Sequence, residues 1–142
     1  MTRRLVLSLL LGSGMASLVW AQQGAPPPAG PDPANFTGNV TAHATADIRL
    51  LRYSFEPGAR TNWHSHQGGQ VIIVEQGRMR AQERGGAGKE FAPRETYVIA
   101  PGIAHWHGAL PGEPLTQVAV SYGTTTWMEK VSSEQYAAAG RR

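Results

Sequence analysis

The chain has 142 residues, enough for one domain on a single core and too few for two of ordinary size. Cysteine is absent, which excludes disulfides and thiolate metal ligands and leaves His, Gln, Asp and Glu as donors. The formal net charge is +3, but setting Arg3 and Arg4 aside leaves 11 basic against 10 acidic side chains. No basic cluster with interleaved aromatics points to nucleic acid as a partner.

Residues 1–21 read as a cleavable export signal. Arg3 and Arg4 form a basic start, Leu5 to Leu11 an apolar run, and Val19-Trp20-Ala21 places small residues where a signal peptidase cuts. Gly12, Ser13 and Gly14 interrupt the apolar run, making it a poor anchor, and no second apolar span follows, so no membrane partner is expected. Cleavage after Ala21 implies a periplasmic or secreted protein, by the Sec route or by the twin-arginine route that Arg3-Arg4 resembles. Residues 22–35, QQGAPPPAGPDPAN, have nothing to bury and are expected to form a disordered leader before a domain spanning 36–139.

Within that domain the chain reads as a succession of short strands. Phe36 to Ala46 is Thr-rich and suggests an edge strand carrying an isolated His43, an exposed or hydrogen-bonded histidine with no ligand role. Ile48 to Phe55 is a strand closed by the turn Glu56-Pro57-Gly58, and Ala59 to His66 follows as a second. After Gln67-Gly68-Gly69, the run Gln70 to Gln76 has an uninterrupted apolar centre and is expected to be buried on both faces. Arg78 to Glu83 pairs back beyond Gly77, Thr96 to Ala100 and Ala104 to His107 flank Pro101-Gly102, and Leu115 to Tyr122 alternates. Trp127 to Ala139 changes to a helical period, with Ser132 and Gln135 as a capping box. Roughly seven or eight short strands punctuated by Gly and Pro predict a sandwich or barrel with a short C-terminal helix.

Four of the five histidines form two His-x-His pairs, His64 with His66 and His105 with His107. Alternate residues of a strand share a face, so each pair projects two imidazoles together. Imidazole suits Zn, Fe, Cu and Ni, and with oxygen donors also Mn. Trp63 and Trp106, which precede or divide these pairs, face the other way and are expected to pack. Ile72, Ile73, Val74 and Val118 are expected to line the core and the wall of an apolar chamber for a small-molecule substrate.

The spacing Gly58, His64, His66, Gln70, Gly77 resembles the first motif of the cupins, with Gln in place of the usual Glu, and Pro101-Gly102-x-x-His105 resembles the second. The resemblance implies an all-β, single-domain cupin jelly-roll. It implies one divalent metal ion held by His64, His66, Gln70 and His105, manganese first and Fe, Ni or Zn as alternatives. It also implies a homo-oligomer, a dimer or tetramer. A neutral Gln70 leaves the ion its full charge, which favours Lewis-acid chemistry on an alkoxide, enolate or cyanide. His107 is left as a base beside the metal or as a residue that only positions His105 or closes the pocket.

The runs EPGARTNWHSHQGGQVIIVEQG, APGIAHWHGALPGEPLTQVAV and WMEKVSSEQY are similar to the small bacterial cupins that include manganese-dependent hydroxynitrile lyases. The likeness covers roughly Phe36 to Tyr136. Those lyases cleave or form cyanohydrins such as mandelonitrile, and the likeness implies a metal-dependent lyase. Gln117 stands where the lyases carry a further active-site histidine; as a substrate-binding residue, glutamine can donate a hydrogen bond but cannot act as a base near neutral pH. A metal oxygenase and a non-catalytic metal or ligand-binding module therefore stand beside the lyase as readings.

Overall fold

The computed structural model describes residues 33–38, 40–41 and 47–140. The chain forms two units, Met1–Ala44 and Thr45–Arg142. Of the first, a single 3-10 turn, Pro33–Asn35, falls among the described residues. The export signal, most of the leader, His43 and half of the strand expected over Phe36 to Ala46 lie outside them, and the described part of that strand is irregular.

Among the described residues the second unit contains nine strands and one helix. They are β1 (Ile48–Phe55), β2 (His64–His66), β3 (Gln70–Gln76), β4 (Met79–Glu83), β5 (Lys89–Phe91), β6 (Thr96–Ile99), β7 (His105–Ala109), β8 (Leu115–Tyr122), β9 (Thr125–Trp127) and α1 (Ser133–Ala138). Two antiparallel sheets result, one ordered β1-β8-β3-β6 and the other β5-β4-β7-β2-β9. This is the all-β sandwich of short strands that the strand pattern predicts, in the jelly-roll form that the resemblance implies.

The core lies between the inner faces. Ile72, Val74, Tyr97, Ile99, Leu115 and Ala119 of the first sheet pack with Met79, Ala81 and Ala109 of the second. Along β8 burial alternates strictly, Leu115, Gln117, Ala119 and Ser121 being inward. Because directly paired residues share a face, the register places Phe55, Tyr53, Leu51 and Arg49 of β1 on the inner side too.

β3 departs from expectation. Its apolar centre is not buried on both faces: Ile72 and Val74 are inward, whereas Ile73 is exposed and Val71 half-buried. No layer covers this outer face among the described residues, and a row Leu50–Val120–Val71–Val98 crosses all four strands of it. Leu50 and Val98 at its ends are 65% and 66% exposed. Of the chamber wall expected from Ile72, Ile73, Val74 and Val118, only Ile72 and Val74 face inward.

The strand over Ala59 to His66 contracts to His64–His66, its earlier part being held by an isolated bridge between Arg60 and Gly108. A Cβ on Gly108 would strike Ala59 O and Arg60 Cα, so only glycine lets this segment lie against β7. The helix is also shorter than expected, because Trp127 ends strand β9. Its capping box is present: Ser132 Oγ accepts from the Gln135 amide (3.1 Å) and Gln135 Oε1 accepts from the Ser132 amide (2.9 Å).

α1 covers the outer face of the second sheet. Trp63, Trp106, Val131, Tyr136 and Ala139 form a second cluster there, with Arg60 and Arg80 guanidinium groups 4.6 and 5.0 Å from the Tyr136 ring. Both tryptophans thus pack, as alternation requires. With both faces covered, all five residues of β7 are buried, which takes His105 and His107 out of water.

Candidate metal centre

His64 and His105 are directly paired across β2 and β7, and their rings lie 4.2 Å apart between centroids. His66, two residues along β2, has its ring 5.1 Å from His64 and 5.8 Å from His105. Each of the three offers one nitrogen such that all lie within 4.8 Å of one another, a cluster able to hold a metal ion. Gly69 makes the β2–β3 turn possible: its φ is +87°, and a Cβ there would meet Ile99 O at 2.6 Å. That turn brings Gln70 beside His105.

The hydrogen bonds settle which nitrogens are available. His64 Nδ1 lies 2.9 Å from Asn62 O, and His105 Nδ1 lies 2.9 Å from Ile103 O. A carbonyl only accepts, so both Nδ1 atoms carry the proton, and each neutral ring presents a lone pair at Nε2. His66 Nδ1 is engaged by Thr125 Oγ1 at 2.9 Å, while its buried Nε2 has no partner among the described residues.

Gln70 Nε2 donates to Ser121 Oγ (2.9 Å), which turns Gln70 Oε1 toward His105 Nε2 at 3.0 Å. Two acceptors then face each other with no proton between them. A cation in that space removes the conflict; without one, the amide must turn over to donate its NH2 to His105. Three Nε2 lone pairs and one amide oxygen form a neutral donor set that fits a divalent ion.

Burial keeps the imidazoles unprotonated, as ligands must be. His64 is pushed down to about 4, first by desolvation and then by His105. His66 is also pushed down to about 4, by desolvation and then by the charges of His64 and Arg49. His105 is lowered by desolvation, against the hydrogen bond to Ile103 O. His107 is held well below the usual histidine range, by desolvation with the other three histidines adding to it.

His107 does not belong to the triad. It is 2% exposed, its ring is 5.3 Å from His64 and 6.0 Å from His105, and its Nδ1 lies 3.0 Å from Gln117 Nε2. Gln117 is fully buried, and its Oε1 has no partner among the described residues. Phe55 stands edge-on to His107 at 6.0 Å.

The sequence reading missed several neighbours of the centre. Trp127, assigned there to a helix, is paired with His64 and lies 4.8 Å from its ring while 61% exposed. Thr125 and Ser121 orient His66 and Gln70, and Arg49 stands in one inward row with Ser121 and Gln70. Alternation on β8 gives a signal for Ser121, whereas Arg49 follows only from the β1–β8 register; a three-residue strand such as β9 gives none.

Two packed antiparallel sheets carrying a histidine cluster on their inner face define a cupin. Residues 51–121 match the cupin domain, and the chain belongs to that family. It is similar to the (R)-mandelonitrile lyase of Granulicella tundricola, 41% identical over 118 residues that make up 75% of this chain and 90% of that protein. Among solved structures, a cupin-like protein from Thermotoga maritima is 39% identical at a TM-score of 0.64, over 67% of this chain and 76% of that one. A conserved protein with a double-stranded β-helix domain from Klebsiella pneumoniae shares the fold at 23% identity and a TM-score of 0.54, over 61% and 78% of the two chains.

Proposed function

We propose that this chain is an exported mononuclear metal enzyme, a lyase of hydroxynitrile type that cleaves or forms a small carbonyl adduct. The observation that carries the metal is the opposed pair of lone pairs at His105 Nε2 and Gln70 Oε1, beside the unpartnered Nε2 of His66. The likeness to (R)-mandelonitrile lyase supports the reaction type. His64, His66, Gln70 and His105 are the ligands in this reading, with manganese as the first metal to test and Fe, Ni or Zn as alternatives that the imidazoles also suit. A divalent ion there supplies Lewis-acid stabilisation of an alkoxide or of departing cyanide.

The protein's own groups hold and move the proton. Burial keeps His107 neutral, and Gln117 selects its tautomer. With the amide nitrogen toward Nδ1, the proton sits on Nε2 and His107 donates toward the chamber. With the amide turned over, Oε1 accepts the Nδ1 proton and Nε2 becomes a base for the substrate hydroxyl. Phe55 and Leu51 on β1 face the same interior and limit water there.

Gln117 also favours a second reading, in which the chain binds metal and ligand without turnover, since one imidazole of the lyases is replaced. Benzaldehyde release from mandelonitrile by manganese-loaded and metal-stripped protein separates the two. Metal-dependent release is expected; none at full metal occupancy sets the lyase aside. The apolar face of β1-β8-β3-β6, which no other element covers among the described residues, supports a homo-oligomer, and residues 1–21 support export to the periplasm or beyond.

A further inference from the structure

Among the described cations, Arg49, Arg94 and Lys130 carry no ion pair, side-chain hydrogen bond or ring contact, and of these three Arg49 is the one that lies in a strand. Arg52, Arg78, Arg80 and Arg84 each pair with a glutamate, and Arg60 is held by Val131 O. Arg49 has neither a carboxylate nor a hydrogen-bond partner among the described residues, although it sits on the inner side of β1. Its row continues through Ser121 to Gln70, two strand spacings or about 10 Å away between Cα atoms. An arginine side chain and one small molecule fill such a span.

The space is there. A cavity of 660 Å³ is lined by Asp47, Arg49, Gln67, Gly68, Tyr122, Gly123 and Thr124, next in sequence to His66 and Thr125. Gln67 Oε1 accepts from Thr124 Oγ1 (3.3 Å), which leaves the Gln67 NH2 as a second donor in the cavity wall. Charge points the same way. The donor set has no anion, so a bound divalent ion keeps both its charges and Arg49 adds a third. The carboxylates facing this region are Asp47, in the cavity wall, and Glu83, which pairs with His105 on the strand and accepts from Tyr97 at 3.0 Å. Arg49 itself is exposed, but the two carboxylates together leave one positive charge unmatched, and a cleft of net positive charge recruits an anion.

We infer that Arg49 anchors the carboxylate of a small monoanionic substrate, a 2-hydroxy or 2-oxo acid, whose neighbouring oxygen reaches the cradle of His64, His66, His105 and Gln70. The inference rests on the metal-centre reading and replaces the neutral nitrile by a carboxylate on the same carbon. Guanidinium suits it, since its fork matches a carboxylate with two parallel hydrogen bonds.

The test is calorimetric titration of manganese-loaded protein and of Arg49→Gln with mandelate and with mandelamide, which differ only in that charge. Metal content and melting temperature are read on the same samples. Wild type is expected to bind mandelate at least about tenfold more tightly than mandelamide, more weakly as salt rises. Arg49→Gln should lose that preference with metal content and melting unchanged. Mandelate affinity equal in the two proteins, or no preference in wild type with metal bound, overturns the inference. Should wild type retain no metal, the metal reading fails separately, and the same comparison on the metal-free proteins still decides whether Arg49 selects the anion.

Discussion

Replacing His105 by alanine separates a metal ligand from a merely buried histidine. His105 is 0% exposed and bonded to Ile103 O, so its loss opens a cavity and leaves a carbonyl unpaired, costing about 2–4 kcal/mol in metal-free protein. A metal at 100 times its Kd adds about 2.7 kcal/mol to wild type. For a domain of this size that is roughly a 10–20 °C rise in melting temperature. Losing one of four donors, with Kd raised about a hundredfold, cuts the rise to roughly 2–3 °C. His107→Ala removes an equally buried ring outside the triad and is expected to lower the metal-free midpoint similarly while keeping the full rise. Calorimetric melting with and without manganese reads both variants. A rise lost equally in the two would refute this division of roles.

Gln117→His puts an imidazole back beside His107 and is expected to raise kcat for mandelonitrile cleavage at least about tenfold, as an added proton-transfer group does; an unchanged kcat shows that Gln117 does not limit turnover. In metal-free protein the depressed histidines link stability to pH. His64 and His66 titrate near 6.5 when unfolded but at about 4 when folded, so the unfolded chain takes up protons first. Stability is therefore full above pH 6.5 and falls on acidification toward about pH 4, by up to about 1.4 kcal/mol per pH unit for each histidine. Urea midpoints that stay flat through that window contradict the burial of these rings. Trp106→Ala empties the space under α1 and should cost about 3–5 kcal/mol in denaturant melts; a loss under 1 kcal/mol would mean the helix does not seal that face.

Much of this was readable from the chain. The bounds of β1 and β8 follow from their flanking turns, and the capping box marks the start of α1 because Ser followed three residues later by Gln lets each side chain satisfy the other's free amide. The His-x-His spacing brings His64, His66 and His105 together because β2 and β7 are neighbours in the sheet, a pairing that only the fold supplies. The apolar run of β3 misled because an uncovered outer face looks, residue by residue, like a covered one. Trp127 misled because three residues of strand against an edge carry no period of their own. The lone pair conflict at Gln70 was invisible: it depends on the Ser121 hydroxyl in one sheet and on His105's hydrogen bond to Ile103 O in the other.

Pulsed electron paramagnetic resonance of manganese-loaded protein tests the metal centre most directly, because nitrogen couplings count the coordinated imidazoles. One ion per chain with three histidine nitrogens, falling to two in His66→Ala and staying at three in His107→Ala, is the predicted result. An ion that shows no histidine coupling, or one whose coupling vanishes with His107, would contradict it.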